Sequence, residues 1–342
     1  MKITLITTMR NEGPHLLEWI AHHRAAGVSD FVVFSNACED GTDRLLDVLD
    51  VTHIRLQPSD KPPQWEALRQ AWDLDVVSNA DWIACVDCDE FINISNDLED
   101  IPDLISQCEA DAILLPWRLF GNNGQIQMDD ALTTQRFTKA APENMIYPPI
   151  GSYFKTLFRR EGPFRQLGVH RPKQKNPEKH GTARWVDGSG DALQSKLPEN
   201  DRQIMHWGQP IARNLVQLNH YSVRSCADFM IKRARGLPNH QSKPIDLTYW
   251  VERNFNNVED ASIHHMQEAT EAEMKRLLNM PDVSERFDAS IYWHRSKLAA
   301  LMRAPDELKL FGRLLLATGS TPPDEKTALE LIKHYQALHA GK

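Results

Sequence analysis

Short apolar runs alternate with amphipathic stretches through the first 120 residues, and few folds accept that pattern. Residues 3–7, Ile-Thr-Leu-Ile-Thr, form a β-rich run, and residues 31–34, 53–56, 82–86 and 112–117 read the same way. Between these runs, Leu16, Leu17, Ile20 and Ala21 recur at helical spacing. So do Leu45, Leu46 and Leu49, and then Trp65, Leu68, Ala71 and Trp72. Asn11 reads as the N-cap of the first helix, Pro14 falls in its first turn, and Gly27 is placed to end it. Strand–helix–strand repetition with short loops requires right-handed crossovers. The fold class is therefore α/β, a mainly parallel twisted sheet flanked by helices.

Ligands of such sheets bind beyond the carboxyl ends of the strands. Three polar clusters fall there. Arg10, Asn11 and Glu12 follow the first strand, Asn36 and Asp40 the second, and Asp87, Cys88, Asp89 and Glu90 the fourth. The spacing predicts that they meet around one pocket.

Residues 121–240 are rich in Gly and Pro, with short strand-like pieces between loops. Lys155, Arg159, Arg160, Arg165, Arg171, Lys173, Lys175, Lys179 and Arg184 are opposed there only by Glu161 and Glu178. Such a segment either faces an anionic ligand or is a solvated basic loop. Residues 261–279, 284–303, 305–317 and 324–338 read as helices, punctuated by Pro281, Pro305 and Pro322-Pro323. The chain thus divides into residues 1–240, in halves 1–120 and 121–240, and a helical C-terminal appendage over 241–342. No internal repeat is visible.

Charge and cysteine content narrow the function classes. The 342 residues carry 47 acidic against 39 basic side chains, a net charge of −8. Nucleic-acid binders are more often basic, so no nucleic-acid partner is expected. Five cysteines, an odd number at irregular spacing, fit a reduced, cytoplasmic setting. No apolar run approaches the ~18 residues that span a bilayer, and residues 1–9 lack the layout of a signal peptide. Peripheral membrane association and oligomeric state stay open.

Asp87-Cys88-Asp89 directly follows an apolar strand. In extended chain, residues i and i+2 point to one side, roughly 6.5–7 Å apart. Two carboxylates so placed reach one hard divalent cation such as Mg²⁺ or Mn²⁺, which neutralises a diphosphate as a Lewis acid. Cys85 and Cys88 spell C-x-x-C. Residues three apart on a strand face opposite sides, and no second pair exists, so a zinc or redox site is disfavoured. Neither a P-loop, a G-x-G-x-x-G turn nor a G-x-S-x-G elbow is present.

Taken as a set, these residues resemble a known family. Thr8-Met9-Arg10-Asn11-Glu12 with Leu17-Glu18-Trp19 and His22-His23 resembles the opening of family-2-like glycosyltransferases. Ser35-Asn36 with Asp40-Gly41-Thr42-Asp43 is similar to their second-strand nucleotide loop, and residues 80–91 to their D-x-D strand. The Asp89-Glu90-Phe91 ending, Glu18-Trp19 and His220-Tyr221 point to the family-92-like subgroup. The resemblance covers residues 1–240 and implies a GT-A fold, a nucleotide-sugar donor and a Mn²⁺ or Mg²⁺ cofactor. It places Arg10, Asn11 and Glu12 near the nucleoside, with Asn36 in the nucleotide loop and Asp40 near the base. Asp87 and Asp89 would lie at the metal and ribose–diphosphate end. His220 matches a late metal-ligand position. Inverting members of the wider family place a carboxylate about a hundred residues further on, often in a Glu-Asp pair. That window holds Trp185-Val186-Asp187-Gly188 here, with no Glu-Asp pair, and Asp187 is the candidate base.

His170 is a candidate for contact with the acceptor or the leaving phosphate. His22 and His23 are adjacent on a helix and cannot share a face, which makes them structural. Lys232 and Arg235 are three apart on a helix that starts near Ser225, so they can face one diphosphate together. The function implied is metal-dependent transfer of a sugar from a nucleotide-sugar to a saccharide acceptor, in surface polysaccharide or glycoconjugate synthesis. Two rivals remain. A haloacid-dehalogenase-type phosphohydrolase would carry its D-x-D on the first core strand, whereas here three strands precede it. A non-catalytic nucleotide- or carbohydrate-binding protein would bind without transfer.

Overall fold

Every residue of the first strand, β1 (Ile3–Met9), is buried, because strands and helices enclose it on all sides. The computed structural model describes residues 1–58, 60–193, 197–236 and 244–339. Within them β1 is joined by β2 (Asp30–Ser35), β3 (Thr52–Arg55), β4 (Trp82–Cys85), β5 (Glu90–Ile94) and β6 (Ala112–Leu119). The sheet is completed by β7 (Phe154–Arg159), β8 (Trp185–Val186) and β9 (Val216–His220). The order is β3-β2-β1-β4-β7-β6-β9-β5, with β8 paired to β6. The half from β3 to β4 is parallel, as the strand–helix alternation requires. Antiparallel β7 and β5 are added in the half that the sequence leaves irregular.

Alternate residues of the parallel strands feed two cores. Leu5, Phe31, Val33 and Ala84 face the helix Gly13–Ala25, whose Leu16, Leu17, Trp19 and Ile20 are fully buried. Ile6, Val32, Phe34 and Ile83 face the helix Pro63–Ala71 through Ala67, Leu68 and Ala71. This is the two-sided burial of a parallel sheet, and it explains near-continuous apolar runs in place of strict alternation. Cys85, at the end of β4, and Cys88, in the turn after it, fall into opposite cores.

Local chemistry at the first loop differs from the sequence reading. The helix starts at Gly13 with no side-chain cap, and its N-cap position is Glu12. Asn11 takes a left-handed conformation, φ 51°, and its Oδ1 accepts the Glu39 N–H at 2.7 Å. Asn11 therefore ties the β1 loop to the β2 loop instead of capping a helix. Gly13 is required by close approach. A Cβ there would sit 2.5 Å from the Cβ of Ser290 on the helix Val283–Leu301.

The helices after residue 260 close over the first helix. Residues 261–279, expected as one helix, divide into a 3₁₀ turn at Ser262–Met266 and the helix Gln267–Leu278. Leu277 and Val283 are fully buried and join the core that holds Leu16 and Trp19. The last helix, Glu325–His339, packs instead through Ala328 and Ile332 against Ile146, Tyr147 and Trp207. The expected boundary between residues 240 and 241 lies outside the described residues. Among the described residues no helix is long and apolar enough to cross a membrane.

Leu277→Ala should lower unfolding stability by about 2–5 kcal/mol, the cost of a truncated core leucine. Denaturant titration measures it. A loss below about 0.5 kcal/mol, typical of surface positions, would show that the helix is not part of the core.

Candidate active site

The carboxyl ends of β1, β2, β6 and β9 and the turn between β4 and β5 open onto a cavity of about 600 Å³. Arg10, Glu12, Asn36, Asp87, Asp89, His170, His220, Lys232 and Arg235 all line it. Residues separated by more than two hundred positions thus share one wall, as the three-cluster argument expects.

The D-x-D segment is a turn and not extended chain. β4 ends at Cys85, β5 begins at Glu90, and the main chain is pinned from four directions. The Trp19 indole N–H donates to the carbonyls of Asp87 and Glu90, both at 3.0 Å. Arg224 Nη2 donates to the Cys88 carbonyl at 3.0 Å, and the Tyr221 N–H to the Asp89 carbonyl at 2.8 Å. The turn sends the two carboxylates to different partners, contrary to the same-side expectation. Asp87 Oδ2 accepts from Lys155 Nζ at 3.0 Å and its Oδ1 from Gln64 Nε2 at 3.0 Å. Asp89 Oδ2 accepts from Lys232 Nζ at 2.6 Å, while its Oδ1 lies 3.7 Å from His220 Nε2. The sheet register places that histidine: β9 pairs antiparallel with β5, setting His220 opposite Glu90.

Burial alone would raise the Asp89 carboxyl, but Lys232 and then His220 outweigh it and hold it well below the usual carboxylate range. Burial pushes Glu90 well above its ordinary value, although Lys155 lies 3.5 Å away and the Asp87 N–H donates to its Oε2 at 2.7 Å. Asp89 is thus ionised at neutral pH, and Glu90 is the group driven toward its neutral form.

Glu12 organises the cationic side. Its Oε2 accepts from Arg224 Nη1 at 3.0 Å, and its Oε1 accepts from Arg235. Burial would raise Glu12, and Arg235 and Arg224 together bring it below its ordinary value. Arg235 also donates to the Arg10 carbonyl at 2.8 Å, and Arg10 Nη1 to the Arg235 carbonyl at 3.3 Å. The helix Cys226–Arg235 is fixed at its start by a capping box between Ser225 and Asp228. Lys232 and Arg235, one turn apart, therefore reach the cavity together. Lys232 Nζ is shared between Asp89 and the Ser222 carbonyl at 2.7 Å.

The histidines divide. His220 and His170 line the cavity, and burial lowers both, His170 to about 3, so both are neutral near pH 7. His170 Nδ1 lies 2.9 Å from the Phe154 carbonyl, which fixes the proton on Nδ1 and leaves Nε2 as an acceptor. His22 and His23 are structural, as expected: they are buried and bonded to the main chain of Ile92 and Trp19.

Three of the expected site residues lie elsewhere. Asn11 is drawn away by the Glu39 main chain. Asp40 is buried beneath the loop: its Oδ1 accepts from the Thr42 N–H at 2.9 Å and its Oδ2 from the Gly13 N–H at 3.1 Å. His294, on the helix Val283–Leu301, lies 2.9 Å from the same Oδ2. Asp40 thus anchors three elements and does not touch the cavity. Asp187 closes a turn, accepting from the Ser189 and Asp191 N–H groups, and lines none of the cavity. The basic stretch from Lys155 to Arg184 also disperses. Arg171 donates to the carbonyls of Leu197, Pro198 and Gln203, and within that stretch the reach to the acidic turn is made by Lys155.

Lys155, Gln64, Arg224 and Glu252 were not picked out as site residues. Lys155 had a signal, a lone charge inside the apolar strand Phe154-Lys155-Thr156-Leu157-Phe158, where it is fully buried. Glu252 and the aromatic residues Trp117, Tyr153, Tyr249 and Tyr335 also line the cavity, Trp117 beside His220 and Tyr249 beside Lys232.

The metal expectation was Asp87, Asp89 and His220 together. Among the described residues no three His, Cys, Asp or Glu side chains come close enough to hold an ion. Asp87 drops out because Lys155 and Gln64 occupy both its oxygens. Asp89 and His220 remain as a facing pair of oxygen and nitrogen donors. A pair suits Mg²⁺ or Mn²⁺, which take one or two protein ligands and complete their shell with substrate phosphates.

The model of glycosyltransferase family 92 matches residues 8–253. No curated protein matches the chain. Among solved structures, S. aureus TarS is 20% identical over 34% of this chain and 22% of that one, TM-score 0.26. S. aureus TarS 1–349 in complex with UDP is 18% identical over 47% of both chains, TM-score 0.30. S. aureus TarS 1–349 alone is 12% identical over 100% of this chain and 92% of that one, TM-score 0.33. This chain therefore spans less than half of the first two TarS structures that it matches.

The Asp40 anchor makes a pH prediction. Burial raises Asp40, but His294 and Thr42 bring it below its ordinary value of 3.8. A carboxyl lowered on folding stabilises fully above its unfolded value, and the gain is lost as pH falls through the folded value. Asp40→Asn should cost about 1–3 kcal/mol near neutral pH. It should also lose less stability than the parent between about pH 5 and pH 2. Parallel acid-unfolding curves for the two proteins would refute the anchor.

Proposed function

The chain belongs to glycosyltransferase family 92, and from that premise we propose that its cavity binds a nucleotide-sugar and transfers the sugar to a saccharide acceptor. One observation carries the reading. Asp89, Lys232 and Arg235, contributed by two distant segments, meet on one wall of a cavity large enough for such a donor. Arg10 and Asn36, at the ends of the first two strands, line the same wall toward the nucleoside.

Lys232 and Arg235 are cations held ready where the diphosphate leaves. Charge positioned before reaction stabilises developing negative charge with little reorganisation. Asp89 and His220 would hold a divalent cation. When bound, that ion would supply Lewis-acid neutralisation of the departing diphosphate. Lys155 and Gln64 keep Asp87 oriented at the rim. The acceptor hydroxyl attacks the anomeric carbon as the bond to the diphosphate breaks. Glu252, a carboxylate in the cavity lining, takes the hydroxyl proton, and the Nε2 of His170 accepts a hydrogen bond from the acceptor. A role in surface polysaccharide or glycoconjugate synthesis, on the cytoplasmic side, is the setting we assign.

A thermal-shift screen of UDP-, GDP-, dTDP- and CMP-sugars with and without Mn²⁺ tests the donor class. One nucleotide should stabilise the protein, and Mn²⁺ should enlarge the shift. Lys232→Ala should weaken that nucleotide about 10- to 100-fold, the value of a lost charge-assisted hydrogen bond. Asp89→Ala should abolish turnover while circular dichroism stays unchanged. Wild-type turnover by Asp89→Ala, or the absence of a shift with all four donors, would overturn the assignment.

A further inference from the structure

The family match ends at residue 253, yet the cavity is lined by a residue from the last helix, Tyr335. The placement is set by packing. Ala328 and Ile332 are each 3% exposed and sit against Ile146, Tyr147 and Trp207. Tyr335 follows at the i+7 and i+3 positions of that buried stripe, on the same helix face. Its ring centroid lies 5.5 Å from that of Trp207, and the ring keeps 40% of its surface exposed. The helix is thus held by its inner residues and sets the half-exposed Tyr335, packed on Trp207, at the next turn.

Opposite it lies an aromatic set from the sheet. Trp117 on β6 has its ring 5.2 Å from Tyr153 and 4.2 Å from His220. His220 belongs to the Asp89 wall, so the aromatic set begins where the cationic wall ends. Glu252 and Arg253, 3.2 Å apart, add a carboxylate and a guanidinium to the same lining. Flat rings beside fixed polar groups match a sugar, whose C–H faces pack on rings while its hydroxyls require hydrogen-bond partners. A phosphorylated acyclic alcohol offers no such face.

We propose that Tyr153 and Tyr335, with the buried Trp117 packed behind Tyr153, form a ring-stacking subsite for the acceptor saccharide, and that the last helix supplies its outer wall. The inference rests on the transferase reading and names the acceptor side of the same cavity. Tyr335 is a specificity-determining residue: it touches the acceptor and leaves the donor end untouched.

The test uses the full chain with UDP and Mn²⁺, or with GDP where UDP gives no thermal shift. The probes are methyl β-D-glucopyranoside, methyl β-D-galactopyranoside, methyl α-D-mannopyranoside and lactose. Glycerol 3-phosphate is the non-saccharide probe. Saturation-transfer NMR reads binding at the sugar ring protons. At least one saccharide should receive saturation, and Tyr335→Ala should weaken its binding about five- to tenfold, the value of one aromatic contact. Tyr335→Phe, which keeps the ring, should bind like the parent. Nucleotide affinity of all three proteins should agree within about twofold, since the two ends are separate. Saccharide binding that survives Tyr335→Ala, or binding of glycerol 3-phosphate alone, overturns the proposal, as does the absence of any saccharide signal. Ring-dependent saccharide binding by a protein that takes up neither nucleotide would keep the subsite and remove the transferase reading.

Discussion

A single buried carboxylate, Glu12, keeps the cationic wall in place. It accepts from Arg224 and Arg235 at once, and both guanidiniums are desolvated with it. Such a cluster adds little net stability, because removing three charges from water offsets most of their attraction. Its effect lies in direction. Arg235 is tied to the carbonyl of Arg10, and Arg224 to that of Cys88. The clamp therefore joins the loop after β1, the acidic turn and the helix Cys226–Arg235 into one rigid corner. Without the carboxylate, two like charges would face each other in a dry site, and that corner would have to open.

The wall so built runs against the charge of the whole protein. The chain carries a net −8, yet along the cavity the cations Arg10, Lys232, Arg235 and Arg253 match the carboxylates Glu12, Asp87, Asp89 and Glu252 in number. Burial keeps Glu90 from adding a further negative charge, since its carboxyl is driven well above its ordinary value. A lining without the net acidity of the whole protein lets Lys232 and Arg235 meet an anion that the rest of the surface would repel. It also explains the two lysines on the D-x-D turn. Each neutralises a carboxylate in a site of low polarity, where an unpaired charge would be costly.

The parallel half of the sheet and its edge clusters were legible because they depend on short-range pattern. Apolar runs separated by helical spacing point to a parallel sheet and to the edge on which Arg10, Asn36 and Asp89 emerge. The Ser225–Asp228 capping box likewise lies within four residues, and the helix begins where those residues place it. What failed were inferences of side-chain direction within loops. Asn11 and Asp40 are the polar, turn-favouring residues that loops recruit to satisfy main-chain N–H groups, and both were consumed in that way. Asp87 parted from Asp89 because the chain turns between β4 and β5, which strand periodicity does not encode. The partners of these groups, Arg224, Lys155 and His294, stand far off in sequence, and only the folded sheet and the packed C-terminal helices bring them near.

Donor and acceptor ends of the cavity are built on different physical terms. At the donor end, Glu12, Asp89, Lys232 and Arg235 have side chains 6–11% exposed and satisfy one another, so a change at one disturbs the rest. At the acceptor end, Tyr335 is 40% exposed on a helix whose anchoring residues, Ala328 and Ile332, are separate from it. A substitution at Tyr335 leaves that anchor and the buried ion pairs intact. The matched family segment contains the interlocked end and stops short of the helix that carries Tyr335. The division follows from the energetics. Under the proposed transferase reading, the donor end is held by coupled buried charges, while the proposed acceptor end carries a ring that can change without disturbing them.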